Sequence, residues 1–296
     1  MKIGVIGAGQ WGRALHHAFF KKNDAIITSR SPRTIEGFAP LEEVMEREYL
    51  VIALPAQIIA DWLAEHPLRP YHKVLVASKG IDRKTHRFLN QIYEEYLPSK
   101  QLAYLAGPSF AAEVLRDLPT AVVVSSKNIE LAQRFADAFP DSIKAYTDDD
   151  VIGAEMAGAY KNVIAIAGGI CDGLGLGNNA RAALLARGLV EMERFGLHFG
   201  ARPETFLGLA GAGDLFLTAS SRLSRNYRVG VGLAQGKPLD AILAELGEVA
   251  EGVYTTEAIT AIAKKEGIYA PIASEVEVVL GGKDPRQSLL DLLKRR

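Results

Sequence analysis

The sequence predicts an α/β protein, with a doubly wound parallel sheet in its first half and an all-helical second half. Three observations carry this. Short apolar runs alternate with helical patterns as far as Asp150. The runs Val51–Leu54 and Val122–Val124 are continuous rather than alternating, as in strands covered on both faces. Beyond Asp148–Asp150 convincing strands cease, and long helical patterns rich in Ala and Gly begin.

Taken in order, strands are expected at Lys2–Ile6, Ala25–Thr28, Leu50–Leu54, Val74–Ala77, Ala103–Leu105 and Ala121–Ser125, with a seventh near Ile143–Tyr146. Helices fit between most of them, at Trp11–Lys22, Ile58–His66, Thr85–Tyr96 and Ile129–Phe139. The second half reads as helices over Val151–Ile170, Asn179–Phe195, Asp240–Leu246, Tyr254–Glu266 and Pro271–Gly281. This divides the chain into residues 1–150 and 151–296. No internal repeat or low-complexity tract interrupts it, and the Lys-Arg-Arg tail at 294–296 reads as a solvated helix end.

The first strand runs straight into Gly7-x-Gly9-x-x-Gly12 and then a helix. Strand, glycine turn and helix in that order make a dinucleotide-binding unit, so the first half is expected to be Rossmann-like. Gly7 permits the tight turn, Gly9 lets the backbone approach a pyrophosphate, and Gly12 lets the helix sit close to the strand. The helix N-terminus then offers unpaired N–H groups to the phosphates. An NAD site of the usual kind has an acid about 20 residues past the glycines, on the ribose 2′-OH. Here that stretch reads Ile27-Thr-Ser29-Arg30-Ser-Pro-Arg33, and Asp24 lies at the wrong end of its strand. Ser29, Arg30 and Arg33 suit a 2′-phosphate, which favours NADPH or tolerance of both cofactors; two arginines in a solvated loop are the plainer reading.

The totals narrow the field further. A chain of 296 residues, 48% apolar and 23% charged, has material for a sizeable core, in one large domain or two of ordinary size. A net charge of -1 points to neither nucleic acid nor an anionic membrane surface. The sole cysteine, Cys171, rules out an intrachain disulfide, argues against a cysteine-based metal site and fits a reducing cytosol. The first strand starts at Lys2 and its apolar run breaks at Gly7, so no signal peptide is expected. Nor is there an apolar run of about 18 residues to span a membrane.

Four further segments carry candidate chemistry. Ser78-Lys79-Gly80 ends a strand at the sheet edge where α/β proteins bind ligands, and a lysine there neutralises a phosphate or polarises a carbonyl. Gly107-Pro-Ser109-Phe-Ala111 follows another strand; Ser109 could cap the next helix and leave its N–H groups to a ligand. On the Val151–Ile170 helix, Gly158, Lys161, Ala165 and Gly168 share a face, leaving room for a ligand or a close-packed backbone around one lysine. A lysine in so apolar a helix needs a partner or a cleft, and burial can draw its pKa toward neutrality, which suits acid–base work. Gly213-Asp214-Leu-Phe-Leu-Thr218, followed by Ser224-Arg225-Asn226, supplies a carboxylate that could accept from Lys161, a guanidinium suited to phosphate, and further hydrogen bonds. Each segment also reads as ordinary structure: a surface lysine, a capped turn, a snorkelling lysine, a polar loop.

Taken together, these residues resemble the bacterial-type NAD(P)-dependent sn-glycerol-3-phosphate dehydrogenases almost end to end. The resemblance runs through Gly7–Gly12, Ser78–Gly80, Gly107–Ala111, Lys161-Asn162, Asn179-Ala180 to Arg187-Gly188, Gly213–Leu215 with Thr218, Ser224–Asn226 and Glu251-Gly252. It implies a Rossmann-like N-terminal domain, an all-α C-terminal domain and an active site between them. It further implies NAD or NADP as cofactor and interconversion of glycerol 3-phosphate and dihydroxyacetone phosphate, supplying the glycerol phosphate of phospholipids. Lys161 becomes the general acid/base, with Lys79 and Asp214 beside it. Gly107, Ser109, Thr218, Ser224, Arg225 and Asn226 become substrate contacts, with the Arg-Asn pair at the phosphate. Gln10, Trp11, Arg30, Arg33, Lys79, Ala111, Arg225, Val249 and Glu251 become contacts of the dinucleotide, beside Gly7, Gly9 and Gly12. A cytoplasmic homodimer that inserts in no membrane and binds no nucleic acid is the implied setting.

The chain departs from the family pattern in a short Pro32–Tyr49 segment, in Arg13 after Gly12, and in Phe216 where an aliphatic residue is usual. Two other readings compete. A 6-phosphogluconate or β-hydroxyacid type dehydrogenase shares the two-domain plan but not the Gly213-Asp-Leu and Ser-Arg-Asn set. A dinucleotide sensor without turnover accounts for the first half but gives no reason for Lys161, Asp214 and Arg225 to occur together.

Overall fold

The computed structural model describes residues 1–247 and 249–294. Of the predicted solvated tail, Arg295 and Arg296 lie outside the described residues. Contacts divide the chain into two compact units. The first comprises Met1–Lys79 and Leu89–Ala154, and the second Gly80–Phe88 and Glu155–Arg296.

The first unit is built on a seven-stranded sheet among the described residues: β1 (Lys2–Ile6), β2 (Asp24–Thr28), β3 (Tyr49–Ile52), β4 (Lys73–Val76), β5 (Leu102–Ala106), β6 (Thr120–Ser125) and β7 (Ile143–Asp148). Their spatial order is β2-β1-β3-β4-β5-β6-β7. The chain goes from β1 to one side and then returns to build the other, so the β1/β3 gap is the topological switch point.

Alternate residues of each strand enter different cores, which explains the continuous apolar runs. Ile3, Val5, Val51, Leu75, Ala103 and Leu105 pack with Leu15, Phe19 and Phe135 from α1 (Gln10–Phe20) and α6 (Ile129–Asp137). Leu50, Ile52, Val74, Val76, Leu102 and Tyr104 pack on the opposite face with Val44, Ile59, Leu63 and Tyr93. Those side chains come from α2 (Leu41–Val44), α3 (Ile59–Glu65) and α4 (Leu89–Tyr93). A strand buried on both faces leaves no place for a polar alternate.

The sheet departs from the predicted all-parallel form at one pair: β6 runs antiparallel to β5. Between them lies only α5 (Ala111–Val114), a single helical turn too short to carry the chain back across the sheet. The predicted helix Thr85–Tyr96 is also shorter, with only Leu89–Tyr93 helical. The Asp82 carboxylate accepts from the Thr85 backbone N–H at 2.7 Å and from its hydroxyl at 2.8 Å, a local turn that competes with helix. The short Pro32–Tyr49 segment returns to the sheet edge, where Ile27 bonds Gly37 and Ala39 at 2.9 Å each.

The second unit is helical: α7 (Val151–Gly173), α8 (Gly177–His198), α9 (Pro203–Leu207), α10 (Asp214–Ala219), α11 (Arg225–Ala234), α12 (Leu239–Leu246), α13 (Glu251–Glu266), α14 (Pro271–Leu280) and α15 (Pro285–Lys294). Helix α7 starts in the first unit and carries the chain into the second. Among the described residues no helix is long and apolar enough to cross a membrane. The Ser224–Asn226 stretch, open to reading as a polar loop, is instead the cap and first turn of α11.

Helices α7 and α11 meet backbone to backbone. A Cβ on Gly230 would be driven into the Ile166 carbonyl oxygen, and one on Gly169 into that of Tyr227. Replacing Gly230 with Ala is therefore expected to destabilise the protein by about 1–3 kcal/mol through overpacking, measured as a lowered urea midpoint.

Candidate active site

In the first unit the glycine turn lies at the C-terminal end of β1, at the switch point. Gly7 has φ +106°, and a Cβ there would stand 2.7 Å from the Ala53 carbonyl oxygen. A Cβ on Gly12 would run into the Gly7 carbonyl oxygen, so bareness at both positions is what lets α1 abut the turn. Gly9 differs: nothing lies within 4 Å of where its Cβ would be. Gly9 also precedes the first residue of α1 and provides no side-chain cap, and no acid occupies the first turn. Open space beside Gly9 and a helix start without a side-chain cap or an acid are what a pyrophosphate requires, and these residues fit a dinucleotide.

The flanking residues follow from the same sheet edge. The Trp11 indole N–H donates to the Ala77 carbonyl at 3.1 Å, fixing the ring at the end of β4. Arg30 and Arg33 are exposed just after β2, whose only acid, Asp24, starts the strand and is paired with Arg47 at 2.6 Å. The Arg47 guanidinium holds the Asp24 carboxyl below its usual range. Lys79 follows β4, half-buried, with its ammonium 3.4 Å from the Gly107 carbonyl oxygen. Gly107, at φ +101°, turns the chain after β5. Ser109 does not cap the following helix; its hydroxyl donates back to the Gly107 carbonyl at 3.1 Å, and Phe110 takes the cap position. A hydroxyl two residues from a carbonyl closes a local turn more readily than it reaches the helix. Gln10 is exposed in the first turn of α1, and Ala111 is half-buried at the start of α5.

In the second unit Lys161 lies deep in α7, only 7% exposed. Its ammonium donates to Asp214 Oδ1 at 2.6 Å and to Thr218 Oγ1 at 3.0 Å. The Thr218 hydroxyl donates in turn to Asp214 Oδ1 at 3.2 Å. Asp214 and Thr218 are one helical turn apart on α10 and so share a face. A five-residue π-helical turn, Leu209–Gly213, leads directly into Asp214. Gly211 allows that turn, because a Cβ there would strike the Phe206 backbone. Gly168, on the lysine face of α7, meets the Ala219 carbonyl oxygen, with 2.5 Å left for a Cβ. Gly168 thus lets α10 come close enough for its carboxylate to reach the ammonium.

Helix α11 presents the second polar group. Ser224 caps it, its hydroxyl accepting from the Tyr227 N–H at 3.2 Å. Arg225 and Asn226 fill the first turn, and Asn226 is buried. Tyr227 donates to Asp172 Oδ2 at 2.6 Å, and Arg181 reaches the same oxygen at 3.0 Å. These bonds tie α11 to the end of α7 and the start of α8. Val249 is exposed just before α13, and Glu251 is the first residue of that helix. Tyr227, Asp172 and the Gly169/Gly230 crossing were not legible in the sequence, since each is a contact between distant segments with no motif of its own.

A switch-point glycine turn leading into a helix without a side-chain cap, and a helical unit holding a buried lysine against a carboxylate, define a dinucleotide-dependent dehydrogenase. Comparison with known proteins agrees. Residues 23–132 match the model of the NAD-dependent glycerol-3-phosphate dehydrogenase N-terminus, and residues 150–291 that of its C-terminus. The chain is 66% identical over 295 residues to a glycerol-3-phosphate dehydrogenase [NAD(P)+] of Nitratiruptor sp., covering 100% of this chain and 99% of that one. It is 58% identical to the protein of that name from Sulfurimonas denitrificans, with 99% of each covered. A crystal structure of glycerol-3-phosphate dehydrogenase from Coxiella burnetii superposes with a TM-score of 0.93 at 32% identity, covering 99% of this chain and 98% of that chain. The chain belongs to the NAD-dependent glycerol-3-phosphate dehydrogenase family and is an NAD(P)-dependent oxidoreductase acting on a CH–OH group.

Burial and the bond to Asp172 push the Tyr227 hydroxyl up to about 12. An unfolded tyrosine ionises near 10. A raised folded value means this bond contributes stability fully below about pH 10 and loses it as pH rises through about 12. Urea unfolding should show Tyr227→Phe less stable than the parent by about 1.5–3 kcal/mol at neutral pH, with the gap closing as pH approaches 12.

Proposed function

We propose that Lys161 is the general acid/base in the interconversion of sn-glycerol 3-phosphate and dihydroxyacetone phosphate. The observation that supports this best is its buried ammonium, held by Asp214 and Thr218. When bound, the nicotinamide supplies or accepts the hydride. Reduction builds negative charge on the ketone oxygen, and a positioned ammonium stabilises that charge and delivers the proton. Oxidation returns the hydroxyl proton to the same nitrogen. Asp214 keeps the ammonium oriented and lets a charged group remain in a dry site. Thr218 holds the carboxylate and is assigned to the substrate's surroundings.

On the second unit we assign Ser224, Arg225 and Asn226 to the substrate, with the Arg-Asn pair at its phosphate. The guanidinium fork matches phosphate oxygens, and the first turn of α11 adds its N–H groups. Arg225, Val249 and Glu251 are further assigned to the dinucleotide. On the first unit we assign Gly7, Gly9, Gln10, Trp11, Gly12, Lys79 and Ala111 to the dinucleotide, and Lys79, Gly107 and Ser109 to the substrate. Arg30 and Arg33 are assigned to a 2′-phosphate, which favours NADPH over NADH. A cytoplasmic homodimer supplying glycerol phosphate for phospholipids is the setting we propose, the dimer resting on how common twofold assemblies are.

Mixing the purified protein with dihydroxyacetone phosphate and following the absorbance of NADPH and, separately, NADH tests the reaction and ranks the cofactors. Ketone-dependent oxidation, faster with NADPH, is expected; none, with both cofactors bound, would withdraw the Ser224–Asn226 assignment first. Lys161→Ala should lower kcat by about 10²–10⁴-fold while cofactor affinity, followed by fluorescence titration, stays near that of the parent. A variant keeping more than about a tenth of the rate would remove the lysine from the chemistry.

A further inference from the structure

The first N–H groups of any helix lack intrahelical acceptors, and α13 has no side-chain cap of its own at Ala250. The N–H of Gly252, in its first turn, is instead taken by Asn226 Oδ1 at 3.0 Å, from α11. Both residues are buried. An N–H is a donor, so only the oxygen end of the Asn226 carboxamide can face it, and this fixes which way the amide points. Among the described residues no acceptor within the chain takes the two Nδ2 hydrogens. Gly252 must also be bare. A Cβ there would stand 2.7 Å from the Asn162 carbonyl oxygen and 2.8 Å from Asn226 Oδ1. Asn162 follows Lys161 on α7, so three helices converge on this one glycine.

We propose that Gly252 is a positioning residue for substrate phosphate: its N–H engages the oxygen of Asn226 and thereby turns the amide's donor end toward the phosphate. The inference rests on the reading that Asn226 meets that phosphate. It gives one carboxamide two jobs, with the oxygen joining α11 to α13 and the nitrogen meeting the ligand. Without the latch the amide is free to rotate, and an oxygen turned toward a phosphate repels it.

The test compares dihydroxyacetone phosphate with dihydroxyacetone, the same ketone without phosphate, as substrates of the full-length protein. In Gly252→Ala the kcat/KM for the phosphorylated ketone should fall roughly 10- to 100-fold, as for loss of a charge-assisted hydrogen bond. The kcat/KM for dihydroxyacetone and the KM for NADPH should hold within about twofold. An equal fall for both ketones is what a purely structural glycine would give and overturns the proposal. Should Gly252→Ala fail to fold, Asn226→Asp and Asn226→Ala decide. Asp keeps an acceptor for the Gly252 N–H and removes the donor, so it should lose the preference for the phosphorylated ketone yet melt above the Ala variant, which leaves that N–H unpaired. Equal melting temperatures overturn the latch. If Arg225→Gln leaves the preference for the phosphorylated ketone unchanged, the phosphate assignment falls and the proposal falls with it. If Arg225→Gln removes the preference and Gly252→Ala does not, only the latch falls.

Discussion

A charged lysine in the middle of an apolar helix is tolerable only if the fold brings it a fixed anion. That demand organises the second unit. The Lys161 ammonium has its carboxylate at 2.6 Å on a different helix, so α7 and α10 must approach closely and in one register. Gly168 permits the approach, the π-helical turn before Asp214 sets the register, and Thr218 stops the carboxylate from rotating away. Removing either partner would strip the other, a buried charge, of its ion pair, which is more damaging than losing a surface pair. Charge pairing and packing therefore constrain the same few residues.

A second scaffold of the same kind holds α11. Its contact with α7 through Gly169 and Gly230 leaves no side-chain layer to slide or repack, and Tyr227, Asp172 and Ser224 fix the ends. The buried Glu191 does comparable work elsewhere in the unit. It accepts from Tyr160 at 2.9 Å and from the first N–H groups of α14 at 2.8 and 2.9 Å. Burial raises its carboxyl above the usual range, and the three donors oppose that rise. Tyr160 is the residue before the lysine, so α7 is held on one face by a carboxylate that serves packing and on another by one that serves the ammonium.

The first unit was legible in the sequence because its signals are local. Continuous apolar runs gave the strands to within a residue or two, and three glycines at fixed spacing gave the turn. The exception, the reversal of β6, follows from a connection whose helix is one turn long, a property of length that strand patterning does not carry. In the second unit Lys161, Asp214 and Ser224–Asn226 stood out by residue type, and the motifs that resemble the family named them. Their partners were another matter. That the Asn226 oxygen meets Gly252, or that Gly230 touches Ile166, depends on helices crossing after the chain has folded. Likewise Ser109, a good helix cap by type, closes a local turn instead, because a nearer carbonyl competes.

The excursion of Gly80–Phe88 has a consequence for how the chain is made. It is flanked on both sides by the first unit, yet three of its contacts lie far downstream: Phe88 against Phe199 with ring centroids 5.2 Å apart, and Arg83 on Glu257 at 2.7 Å and over the Tyr254 ring at 5.6 Å. On the ribosome this loop emerges long before Phe199, Tyr254 and Glu257 have been synthesised. The sheet can close behind it while it waits, but the helical unit stays incomplete until α13 is released, making the loop's docking a late, long-range event. A fragment ending at the sheet would lack the Phe199 ring that meets Phe88, and one beginning at α7 would lack the strap whose Phe88 packs on Phe199.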